Sequence, residues 1–300
     1  MQSACLPFEV LMRSLKNSFK RHVLAGLVLA TLSFAGQAQT ASPAPNTTGP
    51  GAAGVDNALL YAVAWKQTAA EYRALYYQGF NVARMHVQAA LAKRQPGDKP
   101  LAVVTDVDDT VLHALNYWGH LVNQKKDFFD DAIWDQWIPE NKVTAAPGAA
   151  EFLKFCADNK VEIFYVTSRD QGEKTYEYAM GHLRHLGFPY ADDKHLTVLR
   201  DTSNKEKRQD EIMTTYNVAV FLGDNLNDFR RKYYIKGDVD KRLELMDADR
   251  EKFGRDYVIF PNPTDGHWMA AIFGESEPPP TDANREKLKK AAARSAWQGK

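Results

Sequence analysis

Leu101-Ala-Val-Val-Thr-Asp106-Val-Asp108-Asp-Thr110 decides the fold: a short apolar, β-branched run follows Pro100 and stops on a cluster of carboxylates. Two further runs have the same form. Val161-Glu-Ile-Phe-Tyr-Val166 ends in Thr167-Ser168-Arg169, and Val218-Ala-Val-Phe-Leu222 ends in Gly223-Asp224-Asn-Leu-Asn-Asp228-Phe229. Such runs, bounded by polar residues or glycine, read as buried parallel strands. A fourth, Tyr257 to Phe260, stops at Pro261-Asn262-Pro263. Helical stretches lie between them, at Ala149 to Asn159, Gly172 to Leu186 and Lys205 to Tyr216. The alternation predicts an α/β fold, a Rossmann-like parallel sheet with helices on both faces.

This core spans about Pro96 to Phe260, and three segments add a smaller helical region: 57–95, 117–143 and 264–300. From Asn57 to Lys93 there is no proline and only Gly79, and apolar residues recur near a 3.6 period, which predicts one long helix or two in series. In the tail, Pro278 to Pro280 lead into a basic helix. Residues 39–56 are mostly Pro, Gly, Ala and Thr and read as a flexible leader ahead of a single domain at 57–300. No internal repeat is present.

The 300 residues are 44% apolar and 25% charged, a globular composition that excludes collagen-like, low-complexity and many-spanning membrane classes. Lys+Arg and Asp+Glu both number 38, so the basic excess of a protein that binds nucleic-acid polymers is missing. The balance is uneven along the chain. Arg13, Lys16, Lys20 and Arg21 precede the apolar run Val23 to Ala35, and Gly36 and Ala38 supply small residues where a signal peptidase cuts. Residues 1–38 therefore read as a secretory signal, with Met1 and Met12 both open as starts and a buried N-terminal helix as the alternative. The apolar run is too short to span a bilayer comfortably, so no stable membrane anchor is expected after cleavage. The only cysteines are Cys5 and Cys156, which leaves one thiol after cleavage, no internal disulfide, and no cysteine placed for lipidation. A periplasmic or secreted location is expected.

In an open parallel sheet, ligands bind beyond the carboxyl ends of the strands, where four polar clusters fall here. Asp106 and Asp108 can divide labour, one attacking phosphorus and the other protonating the departing alkoxide. Their charges repel phosphate, and a divalent cation held by an early and a late carboxylate removes that repulsion, Mg²⁺ suiting hard oxygen ligands best. Thr167 and Lys205 supply a hydroxyl and an ammonium for the remaining phosphoryl oxygens.

Taken in order, Val103 to Leu112, Phe164 to Arg169, Ser203-Asn-Lys205 and Phe221 to Phe229 resemble the motifs of the haloacid dehalogenase superfamily, and within it the class C acid phosphatase and 5'-nucleotidase family. The separations are 61, 38 and 19 residues (106 to 167, 167 to 205, 205 to 224). The resemblance runs from Trp65 to Trp268. It implies Asp106 as nucleophile and metal ligand, and Asp108 as general acid/base and a ligand through its backbone carbonyl. It implies Asp224 as the third protein ligand, Asp228 as a support behind the ligands, and Thr167 and Lys205 as the phosphate grip. The reaction implied is phosphoaspartate formation followed by hydrolysis. The chain departs from the family pattern at Asp109, His113, Ala114 and Asp265, the last standing where an aromatic is often found.

Candidate substrate contacts are His113, Trp134, Trp137, Arg169, Asp265 and Trp268, with Trp118 a further member of an aromatic wall. Asp109 is a candidate N-cap for the helix that follows. No GxSxG or GxxxxGK[ST] motif occurs, which sets aside serine-hydrolase and P-loop chemistry. The reading is an exported Mg²⁺-dependent phosphomonoesterase acting on small phosphate monoesters, nucleoside monophosphates among them. The alternative is a non-catalytic secreted protein that binds metal and phosphate on the same fold. A homo-oligomer is a further candidate assembly.

Overall fold

A computed structural model describes residues 57–299. The expected signal, leader and cleavage site, with Cys5, fall outside the described residues. Five parallel strands make one sheet: β1 (Leu101–Thr105), β4 (Glu162–Ser168), β5 (Leu196–Leu199), β6 (Asn217–Gly223) and β7 (Tyr257–Ile259), in the order β5-β4-β1-β6-β7. The acidic run of the opening sequence therefore leaves the central strand. Side chains alternate along β1. Leu101 and Val103 join Tyr76, Phe80, Phe152 and Leu153 on one face, while Ala102 and Val104 join Ile212, Phe229 and Tyr233 on the other.

Helices α2 (Ala70–Lys93), α5 (Ala149–Asp158) and α6 (Thr175–His185) cover the first face, and α7 (Glu206–Thr215) packs on the second. The N-terminal helical segment is two helices in series, α1 (Leu60–Thr68) and α2, because Ala69 takes an extended conformation with ψ 122°. The buried stripe of α2 runs through Tyr72, Tyr76, Phe80, Ala83 and Val87, leaving Leu75 40% exposed.

The edge strand β5, only four residues long, has Leu196 alone fully buried, and α8 (Val239–Ala248) buries no residue fully; neither is among the elements expected from the sequence. A two-residue antiparallel ladder, β2 (Leu112–His113) with β3 (Thr144–Ala145), brings the ends of the insert together. Inside it, α3 (Leu115–Asn123) and α4 (Asp131–Trp137) pack with α1 through Leu59, Val63, Tyr117, Trp118, Leu121, Trp134 and Ile138. The tail adds α9 (His267–Phe273) and α10 (Asp282–Ala292), joined through Phe128, Met269, Phe273 and Leu288. Among the described residues no helix is long and apolar enough to cross a membrane.

Candidate active site

Strands β4, β1 and β6 are neighbours, so their carboxyl ends deliver Thr167, Asp106 and Asp224 side by side, and the loop before α7 adds Lys205. A cavity of about 320 Å³ is lined by Asp106, Asp108, Thr167, Lys205, Asp224 and Asp228. All six sequence candidates for chemistry meet there.

Lys205 Nζ donates to Asp106 Oδ1 and, at 2.7 Å, to Asp228 Oδ1. Burial works against the ammonium, but the charges of Asp106 and Asp228 outweigh it and raise its pKa. Asp228 Oδ2 accepts from the Asn225 backbone N–H at 2.8 Å, so both its oxygens are engaged. Gly223 permits this approach, since a Cβ there would overlap the Asp228 side chain. The Thr110 hydroxyl lies 3.1 Å from Asp106 Oδ2 and 3.3 Å from Asp224 Oδ1, with one hydrogen to share between two carboxylate oxygens. Asn225 and Asn262 donate to the other Asp224 oxygen at 2.7 and 2.8 Å. Burial, helped by the charges of Asp228 and Asp108 and opposed by Lys205, raises the Asp106 pKa to about 7. Burial also raises Asp224 well above the carboxylate range, with Asp228 and Asp106 adding to it.

Asp108 faces the cavity from beyond Asp106. Arg169 grips it with two nitrogens at 2.6 Å each, and the Thr167 hydroxyl stands 3.3 Å away. Asp109 is not an N-cap: Ala114 holds that position for α3, and Asp109 sits in a turn with φ 51°. Tyr76 donates to its carbonyl at 2.5 Å, and the Lys66 ammonium lies 2.9 Å from its carboxylate.

Residues 25–268 match the family described as HAD superfamily, subfamily IIIB (acid phosphatase). The chain belongs to that family. Two solved structures of the class C acid phosphatase from Bacillus anthracis, one with tungstate bound, are each 31% identical to this chain at a TM-score of 0.70. Each aligns over 82% of this chain and 99% of its own. The protein is thus an acid phosphatase, a phosphomonoesterase on a parallel α/β core, and small phosphate monoesters are its substrates.

Phosphatases of this superfamily use a divalent metal, and the donor set fits one. Carboxylate oxygens of Asp106, Asp224 and Asp228 lie within 4.8 Å of one another. With both Asp228 oxygens taken by protein donors, Asp106 and Asp224 are left with oxygens that meet only at the Thr110 hydroxyl. Hard oxygens converging with too few protons are the donor chemistry a divalent cation satisfies.

The acid phosphatase has a second cavity of about 330 Å³ beside the first, and Asp108, Asp109, Ser168, Asp265 and Glu277 border both. Arg169, Trp118, Phe129 and Trp134 line it, so of the candidate contacts Arg169, Trp134 and Asp265 border this cavity, with Phe129 beside them. Burial, with the charge of Asp109, raises Asp265 to about 6. The structure keeps three other candidates out. His113 is 2% exposed, packed between Tyr72 and Tyr76 behind the Asp109 turn, where burial lowers its pKa to about 4. Trp137 faces a different hollow beside Asn116 and Ile133, and Trp268 points its Nε1 at the Asp265 carbonyl at 2.8 Å and borders the groove along α2. His113 is a core side chain, and both indoles pack half-buried against apolar clusters, a commoner fate for such rings than ligand contact.

Lys66, His182, Asn225 and Asn262 are site residues that motif reading passes over. Lys66 alone carried a local signal: it shares the buried face of α1 with Val63, three residues before it.

Proposed function

We propose that this acid phosphatase hydrolyses phosphate monoesters through a phosphoaspartate on Asp106, with Mg²⁺ as its metal. The observation that carries the reading is the placement of Asp106 between Lys205 and the Thr110 hydroxyl, with Asp108 gripped over the same cavity. An Asp106 oxygen attacks phosphorus in line, the P–O bond to the leaving group breaks, and Asp108 hands a proton to the departing alkoxide. Asp108 then takes a proton from water, whose oxygen attacks the acyl phosphate and releases inorganic phosphate and the Asp106 carboxylate. Thr167 and Lys205 donate to the phosphoryl oxygens throughout. Asp106, the Asp108 carbonyl and Asp224 would hold Mg²⁺, which would offset the repulsion between carboxylates and phosphate and polarise a phosphoryl oxygen. That the Bacillus anthracis relative holds tungstate, a tetrahedral oxyanion, supports a phosphoryl site.

Asp106→Asn should abolish turnover while the protein stays folded, because an amide does not attack phosphorus. A purified variant that kept a tenth of wild-type kcat would overturn the assignment.

The second cavity is the place for the leaving group. Its acid at position 265 withholds a stacking face there, and one base on one aromatic contributes roughly 1–3 kcal/mol. The reading is a broad phosphomonoesterase with modest preference for 5'-nucleotides, Trp134 offering the remaining wall. Asp265→Tyr should raise nucleotide kcat/KM about five- to a hundredfold and leave small phosphates nearly unchanged. A wild-type protein already favouring nucleoside monophosphates a hundredfold would contradict this.

Export follows from the order of charge, apolar run and small residues at the N-terminus. Cleavage after Ala38 and recovery as a soluble periplasmic or secreted protein are expected. N-terminal sequencing checks it, and residues 23–35 found still attached in the membrane fraction would make the segment an anchor.

A further inference from the structure

The side chain that fixes Arg169 lies outside both cavities. Arg169 is 5% exposed and gives its Nε and one Nη to the two oxygens of Asp108. Its other Nη stands 2.9 Å from Nδ1 of His182 on α6, and Nε2 of that imidazole stands 3.0 Å from the Ile138 carbonyl oxygen. A guanidinium only donates and a carbonyl only accepts. Both contacts are satisfied by one arrangement alone: Nε2–H donates to Ile138, and the Nδ1 lone pair accepts from Arg169. That imidazole is neutral, and burial, with the charge of Arg169, lowers its pKa to about 4.

His182 is 2% exposed, so solvent replaces neither contact easily. Without it, one Nη of Arg169 is a buried donor with no partner, and the guanidinium is free to turn away from Asp108. We infer that His182 is a positioning residue for the proton-transfer step: it orients Arg169, and Arg169 holds Asp108 toward the leaving-group oxygen. The inference rests on Asp108 as proton donor. Ile138 directly follows α4, whose Trp134 lines the second cavity, so the same imidazole ties the insert to the donor carboxylate.

Two variants test it. His182→Leu removes both hydrogen bonds, while His182→Gln keeps an acceptor and a donor on one side chain. The measurement is kcat/KM on glycerol phosphate, whose alkoxide needs a proton to leave, and on p-nitrophenyl phosphate, whose phenolate does not. His182→Leu should lose about ten- to a hundredfold on the alkyl ester, the scale of a small misplacement of a catalytic group, and far less on the aryl ester. His182→Gln should restore most of the alkyl activity. Equal losses on both esters, or a Gln variant no better than Leu, would overturn the inference. Asp108→Asn in the same assays separates it from its foundation: a leaving-group-dependent loss there and none in His182→Leu rejects His182 alone, whereas an equal loss on both esters rejects the donor role itself. Should His182→Leu fail to fold, imidazole ¹⁵N shifts of the wild-type protein at pH 7 decide. A neutral ring with hydrogen on Nε2 is expected, and a charged ring or hydrogen on Nδ1 overturns the inference.

Discussion

At the scale of single residues, Lys66 shows how much of the site is held from behind. It is 3% exposed, 2.9 Å from the Asp109 carboxylate and 2.9 Å from the Thr264 hydroxyl. Removing one partner of a buried pair leaves the other charge uncompensated, at a cost of about 3–5 kcal/mol. Lys66→Met should therefore lower the melting temperature markedly, and adding Asp109→Asn should recover part of the loss; calorimetry of the two variants checks it. The carboxylates give a second prediction through pH. The metal-free fold holds Asp106 near pKa 7 against 3.8 in the unfolded chain. A raised folded pKa stabilises the fold below about pH 4, and that contribution is lost as pH climbs toward 7. A bound cation favours the ionised carboxylate and removes the loss. The rise in melting temperature on adding Mg²⁺ should then be larger at pH 7.5 than at pH 4.5, and equal shifts would place the cation elsewhere. The candidate site residues were legible because strand ends carry them in order along the chain. Their supports were not: His182 and Asn262 gain meaning only from atoms far away in sequence, and His113 looks the same in sequence whether it faces a cavity or a pair of tyrosines.

At the scale of elements, the turn after β6 carries the most consequence. Gly223 ends the strand, Asn225 caps the 3₁₀ turn Leu226–Asp228, and Asp228 folds back to accept from the Asn225 backbone while it holds Lys205. Gly223→Ala should push Asp228 away and loosen the ammonium, so kcat should fall at least tenfold, and the overpacked turn should lower the melting temperature as well. Steady-state kinetics beside thermal denaturation measures both. Elements with a full apolar complement were readable. β1, β4 and β6, five to seven residues long, each carry an apolar run that stands out, whereas the four-residue edge strand β5, half-buried beyond Leu196, is too short to do so. The insert was visible as a segment without strand pattern, but its packing on α1 was not, since Leu59 and Val63 give no hint of which aromatics they meet.

At the scale of the molecule, the candidate chemistry among the described residues lies between Lys66 and Glu277, and Leu59 is the first described residue of the core. A chain that starts at Asn57 should keep wild-type kcat/KM on p-nitrophenyl phosphate; a loss beyond about threefold would show that the earlier residues serve catalysis. The central position of β1 also sets the order in which the protein can come into being. Ala102 pairs with Glu162 on one side, and Leu101 with Asn217 on the other, over a hundred positions along the chain. Contacts so distant form slowly, because a long loop must close before either neighbour rewards it. A nascent chain released before residue 217 has β1 open on one edge, a template for pairing with other copies. Refolding from denaturant should accordingly restore helical circular dichroism before turnover, and dilution should improve the yield of active enzyme more than it changes the rate.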